Sequence, residues 1–144
     1  MSTATVTTDI NIGPFKIPSN GQNMIMNNYA QRNNIKVEFV IPEPMMSNRL
    51  ATTKWCHKDY KFSKIILCSI YQLPKEKMIL DELIIDMQDV EFHFALEGLS
   101  GKGKDFIFKC VREAEIFEKA SKIDAKQHNW LDLFVKFQNS LDDK

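Results

Sequence analysis

Four consecutive apolar residues, Ile65-Ile66-Leu67-Cys68, restrict the fold of this chain more than any other stretch. A strand with one wet face alternates apolar and polar residues. An unbroken apolar run belongs to a strand covered on both faces, as in parallel sheets with helices on either side. Such sheets need a helix between successive strands, and the flanking sequence supplies them.

Before the run, Ala4 to Ile10 is rich in β-branched residues and reads as a first strand. Asn11 to Gly21 holds two glycines and two prolines and reads as a loop. Met24, Ile25, Asn28, Tyr29 and Arg32 then recur at three and four, which predicts an amphipathic helix capped by Ser19 or Asn20. Ile35 to Ile41 reads as a strand with Ile35, Val37 and Phe39 on one face. Pro42 and Pro44 mark a loop. Arg49 to Tyr60 reads as a helix with Leu50, Thr53, Trp55 and Cys56 inward. The central strand runs from Lys64 to Ile70. Pro74 opens a helix over Lys75 to Met87, with Met78, Ile79, Leu83 and Ile84 inward. Glu91 to Leu96 is the next strand, and Asp105 caps a helix to about Lys122. A last helix, about Lys126 to Leu141, carries Trp130, Leu131, Phe134 and Phe137 at helical spacing.

The order is β-α-β-α-β-α-β-α-α, which predicts a three-layer α/β sandwich around a small, mostly parallel, four-stranded sheet, with extra C-terminal helices. At 144 residues this is one domain, with a core of about 4–104 and a helical extension of about 105–144. The methionines Met24, Met26, Met45 and Met46 read as core filler.

Charge bears on partners. There are 19 basic and 19 acidic residues, so the chain lacks the basic excess of a nucleic-acid binder. No apolar run approaches the length of a membrane span. The N-terminus has neither a basic start nor an apolar segment of the signal-peptide kind. Three cysteines without a Cys-x-x-Cys argue for reduced thiols and a cytoplasmic location. The histidines His57, His93 and His128 are too scattered for zinc, so neither a metal nor another cofactor is expected.

Ligands of open α/β sheets bind at the carboxyl ends of the strands. Two polar strand ends stand out. In Phe94-Ala-Leu-Glu-Gly-Leu-Ser-Gly-Lys102, Glu97 follows an apolar strand, where partial desolvation raises a carboxyl pKa and suits acid–base work. His93 shares its face if alternation continues, which makes a His93–Glu97 catalytic pair sterically feasible. At the other strand end, Ser69, Tyr71 and Gln72 offer hydroxyl and amide groups. Gln22 and Asn23 do so at the first helix, and Arg49 could face a phosphate. Gly98 to Asp105 nearly fits a phosphate loop, but Asp105 stands where the magnesium-binding hydroxyl belongs. Lys102 or Lys104 could still contact an anion.

Several of these pieces occur together in one family. Ile17-Pro18, Gln22-Asn23, Tyr29, Arg32, Leu67-Cys-Ser-Ile-Tyr-Gln-Leu-Pro74 and Phe92-His-Phe-Ala-Leu-Glu-Gly-Leu99 resemble the sporadic carbohydrate cluster proteins, encoded among bacterial surface-polysaccharide genes. The resemblance covers about residues 5–100. It implies a protein of surface-carbohydrate biosynthesis that binds or modifies an activated sugar; the element order itself fits a flavodoxin-like or resolvase-like fold. The pattern is also distantly similar to the catalytic domain of serine recombinases. There a nucleophilic serine precedes Gln-Asn; here Pro18 stands four before Gln22 and Ser19 is displaced by one. The neutral charge is wrong for DNA, so this similarity speaks to fold. The alternative function is a non-catalytic interaction module that binds a partner biosynthetic protein through an exposed aromatic patch on the last helix; the same C-terminal helix could pair two copies as a homodimer.

Overall fold

The computed structural model of the chain describes residues 2–8, 16–43 and 50–127, with side chains as far as 120. Among these residues, five strands form one sheet: β1 (Ser2–Thr8), β2 (Phe39–Glu43), β3 (Phe62–Leu67), β4 (Glu91–Phe94) and β5 (Leu99–Gly101). Four helices alternate with them: α1 (Ser19–Arg32), α2 (Ala51–Tyr60), α3 (Lys77–Asp86) and α4 (Lys104–Gln127). The strand order is β2-β1-β3-β4-β5. The first four are parallel, and β5 lies antiparallel against β4.

The mostly parallel α/β sandwich is therefore as expected, with one strand more. Leu99–Gly101, which reads in the sequence as part of a glycine loop, pairs with Phe92–Phe94 as an edge strand. Two glycines shape this hairpin. Gly98 takes φ +68 and its N–H donates to the Phe94 carbonyl at 2.9 Å, closing the turn in a conformation that other residues enter at a cost. A Cβ on Gly101 would lie 2.7 Å from the Phe106 ring, so the strand can pass under α4 only without a side chain.

The core follows the apolar runs. Ala4, Val6, Ile65, Ile66, Leu67, Cys68 and Phe94 are fully buried. His93 faces α1, bonded to Tyr29. Its neighbour Phe92 faces the other way, where Leu83 of α3, Met87 at the end of that helix and Ile107 of α4 surround a narrow crevice with it. Helices thus cover both faces of β4.

Several helix faces differ from their expected ones. The inward stripe of α1 is Gln22, Met26, Tyr29 and Ala30, and Met24 is 73% exposed. Gln22, drawn inward by the backbone, sets this stripe. Pro18, not Ser19 or Asn20, is the N-cap. At α2, the N-cap Leu50 and Thr53 are buried, Cys56 is half-buried and Trp55 faces outward. In α3, Leu80 and Leu83 point inward, Ile79 and Ile84 are half-buried and Met78 is exposed. Pairing of β2 begins only at Phe39, although Ile35, Val37 and Phe39 do share the more buried face. Pro42 lies on this edge strand, where its missing N–H is tolerated.

The chain divides into two compact units, Met1–Val111, which holds the whole sheet, and Arg112–Lys144. In the second unit, Ala114 is buried, and Ile116 and Phe117 are largely exposed. Met45, Met46, Arg49, His128, Trp130, Phe134 and Phe137 lie outside the described residues, so the phosphate contact expected of Arg49 and the aromatic stripe of the last helix do too.

Candidate functional site

The turn after β4 does not leave the sheet at once. The N–H groups of Ala95 and Leu96 donate to the carbonyls of Leu67 and Cys68, at 2.9 and 2.8 Å, and so extend the β3–β4 ladder. That docking carries Glu97 over the end of β3. One carboxylate oxygen accepts the Ser69 hydroxyl at 3.0 Å, and the other accepts the Ile70 N–H at 2.6 Å. Glu97 is half-buried, and burial raises its carboxyl above the ordinary value while the Ile70 and Ser69 bonds oppose the rise. Two strand ends seen separately in the sequence, Ser69 and Glu97, are thus joined.

Glu97 and His93 do not pair. His93 is buried, with Nδ1 2.8 Å from the Tyr29 hydroxyl and Nε2 2.5 Å from a Glu91 carboxylate oxygen. The reason is geometric. Strand alternation stops at Phe94, the turn begins at Ala95, and Glu97 swings towards β3 while His93 keeps facing α1. Burial lowers the His93 pKa, as does Lys64; Glu91 raises it by hydrogen bond and by charge, and the net direction is down.

The remaining amides serve the backbone. Gln22 is fully buried. Its Oε1 accepts the Thr8 N–H at 2.9 Å, and its Nε2 donates to the carbonyls of Thr8 and Ile17, both at 2.8 Å. Gln72 Oε1 accepts the N–H of Cys68 at 2.6 Å and of Ser69 at 3.1 Å, and its Nε2 donates to Val6 at 3.4 Å. With the Ser69 hydroxyl accepting the Tyr71 N–H, this closes a capping box around the 3₁₀ turn Ile70–Gln72. β1 and β3 are where connections part to opposite sides of the sheet, the position at which such folds usually open a crevice. Here two glutamine side chains lie at those ends.

Tyr71 is buried, Asn23 is half-buried, and Lys102 is exposed just beyond β5. None of these three lines the groove that Glu97 does. That groove, about 550 Å³, is bounded by Tyr29, Arg32 and Asn33 of the α1 end and by Ala95 to Gly98 and Ser100 of the hairpin. The wall is polar, with a guanidinium, a half-buried carboxyl, an amide and a hydroxyl. The sequence does not single out Tyr29, Arg32, Asn33 and Ser100 as site residues. Tyr29 and Arg32 do sit three apart on one helix face, which is a usable signal. Ser100 lies opposite His93 only because of the antiparallel pairing, which the sequence hid. Among the described residues, no three histidine, cysteine or acidic side chains are grouped to hold a metal, and no helix is long and apolar enough to cross a membrane.

No protein-family model matches the chain. No curated protein matches it. Among solved structures it is similar to the N-terminal catalytic domain of TP901-1 integrase, a serine recombinase, with 14% identity and a TM-score of 0.57. The match covers 86% of this chain and 99% of that domain. At this identity the likeness is one of fold, and the resolvase-like expectation holds at that level.

Proposed function

We propose that the groove between the end of α1 and the β4–β5 hairpin binds an activated sugar, a sugar phosphate or nucleotide sugar, in surface-carbohydrate biosynthesis. The observation that carries this reading is the placing of Arg32 and Glu97 in one open, polar groove. A guanidinium offers paired N–H donors suited to a phosphate. A carboxylate accepts sugar hydroxyls, and the Ser69 and Ile70 bonds hold it in place to do so. The groove has the polar wall that sugars need, and its charges are of both signs. The choice of sugar as the ligand class rests on the sequence resemblance around Gln22, Tyr29, Arg32 and Glu97 alone, which no family model matches. Recombinase chemistry is a poorer fit, because the chain has no basic excess to hold DNA.

The test is calorimetric titration with glucose 1-phosphate and UDP-glucose. Saturable binding that Arg32→Ala weakens at least tenfold, about 1.4 kcal/mol, supports the reading. Absence of binding by these and other sugar phosphates, or binding indifferent to both Arg32→Ala and Glu97→Gln, overturns it.

A further inference from the structure

The hydrogen bonds of His93 fix its proton. Nε2 faces the Glu91 carboxylate, which can only accept, so Nε2 carries the hydrogen. Nδ1 is then a lone-pair acceptor, and the Tyr29 hydroxyl donates to it. The sequence of groups is carboxylate, imidazole, hydroxyl, the order in which an acid residue orients a histidine to take a proton from a nucleophile. One end is the half-exposed Glu91, its side chain 40% accessible. The other is Tyr29, a residue that lines the groove. The ring geometry agrees: Tyr29 and His93 meet edge to face, with centroids 5.6 Å apart.

We propose that Glu91, His93 and Tyr29 form a triad in which His93 takes the phenol proton, making Tyr29 the general acid–base group of the groove. The proposal rests on the groove being a ligand site. In the step itself, the Tyr29 oxygen accepts a proton from a ligand hydroxyl as its own passes to His93 Nδ1. The imidazolium is held by the Glu91 carboxylate at Nε2, and the ligand oxygen is left as the attacking group. The proton returns by the same path to the leaving group, so no other reactant is consumed. The charged groups bearing on His93 are Glu91 on its own strand and Lys64 on β3, with Tyr29 from α1. Burial, the largest cause, lowers the ring's pKa and so favours the neutral form, whose Nδ1 lone pair accepts from Tyr29.

Burial, and then the Glu91 charge, raise the Tyr29 phenol above its ordinary value, so its reactivity depends on His93 taking the proton. A hydroxyl relieved of its proton in this way reacts with a small electrophile without any sugar. The experiment is labelling of the whole protein with phenylmethanesulfonyl fluoride, read by peptide mass spectrometry. The Tyr29 oxygen bonds to sulfur, fluoride leaves, and the phenol proton goes to His93 and then to buffer. Tyr60 is 57% exposed and Tyr29 only 7%, so exposure alone predicts labelling of Tyr60 first. The triad predicts Tyr29 first. His93→Gln is expected to slow Tyr29 labelling about 10²-fold. Glu91→Gln, at a half-exposed site, is expected to slow it at least about tenfold by releasing the tautomer. Preference for Tyr60, or labelling of Tyr29 unchanged in folded Glu91→Gln, overturns the triad. The probe carries no sugar and no phosphate, so a negative result leaves the Arg32 titration to stand or fall by itself.

Discussion

Glu97 accepts the Ile70 backbone N–H at 2.6 Å, across a gap of 27 residues in the chain. This bond ties the end of β4 to the end of β3 through a side chain that also lines the groove. It makes Glu97 at once a brace and a ligand group, and the two roles are separable by experiment.

The Glu97 carboxyl titrates above its ordinary 4.5, burial being the largest cause. A raised acid pKa means that the folded state holds the proton more tightly than the unfolded chain. The associated stability is present below the unfolded value and is lost as pH rises through the folded one. Glu97→Gln removes this dependence. Urea midpoints of the two proteins, compared from pH 4 upward, are expected to diverge in favour of the variant as pH rises. Parallel curves would show that the carboxyl is not desolvated.

His93 and His57 act in the opposite sense. Both have lowered pKa values, chiefly through burial. His57 Nδ1 accepts the Phe62 N–H at 3.0 Å, and His93 Nδ1 accepts the Tyr29 hydroxyl, so both are needed neutral. A lowered histidine pKa gives stability that is full above 6.5 and is lost as pH falls towards the folded value. Thermal midpoints are expected to drop on acidification below 6.5, and His93→Gln should flatten that drop. The His57 contribution persists in that variant.

Gln22→Ala leaves the Thr8 N–H and the carbonyls of Thr8 and Ile17 without their partner, in a site with no exposure. Orphaned buried groups cost about 1–3 kcal/mol each, partly recovered by water that enters the space. A loss of about 2–4 kcal/mol in urea denaturation is expected, with ligand affinity unchanged in the folded fraction. A substitution that instead left stability intact and removed binding would return Gln22 to the ligand site.

Thr53 donates both its N–H and its hydroxyl to Glu43, each at 2.6 Å, and Glu43 is 1% exposed. The carboxylate of β2 thereby caps α2, where a negative charge meets the positive end of the helix. Thr53→Val keeps the shape and the N–H bond but removes the hydroxyl. A charge-assisted bond contributes about 1.5–3 kcal/mol, and chemical denaturation should show a loss in that range.

Gly101→Ala places a methyl group against the half-buried Phe106 ring, 2.7 Å away. Overpacking costs about 1–3 kcal/mol. Phe106→Leu, which shortens the ring side of the contact, is expected to recover part of the loss, and a double-mutant cycle in denaturant measures the coupling.

The layered fold was legible because Ile65 to Cys68 could sit only inside a covered sheet, and because helices of the right length flanked it. β5 was not, since Leu99-Ser-Gly101 has too few residues to show alternation and carries the glycines of a loop. The same gap hid the groove. Glu97 and Ser69 were each visible as polar residues at strand ends, but their meeting depends on the turn docking on β3. Gln22 and Gln72 read as ligand amides because side chains that bind ligands and side chains that bind backbone look alike in a sequence; only the positions of Thr8, Cys68 and Val6 reveal where their bonds go. Tyr29 and His93 lie 64 residues apart, and no local pattern joins them.

The docking of the β4–β5 turn on β3 has a consequence for how this protein opens. The amides of Ala95 and Leu96 belong by position to a loop, yet their acceptors are Leu67, the last residue of the innermost strand, and Cys68 just beyond it. Freeing them requires pulling β4 from β3. Their hydrogen exchange should therefore keep the pace of the sheet interior, with protection close to that of global unfolding. A groove built on such a turn has one rigid lip, and whatever adjustment a ligand needs must come from the α1 side.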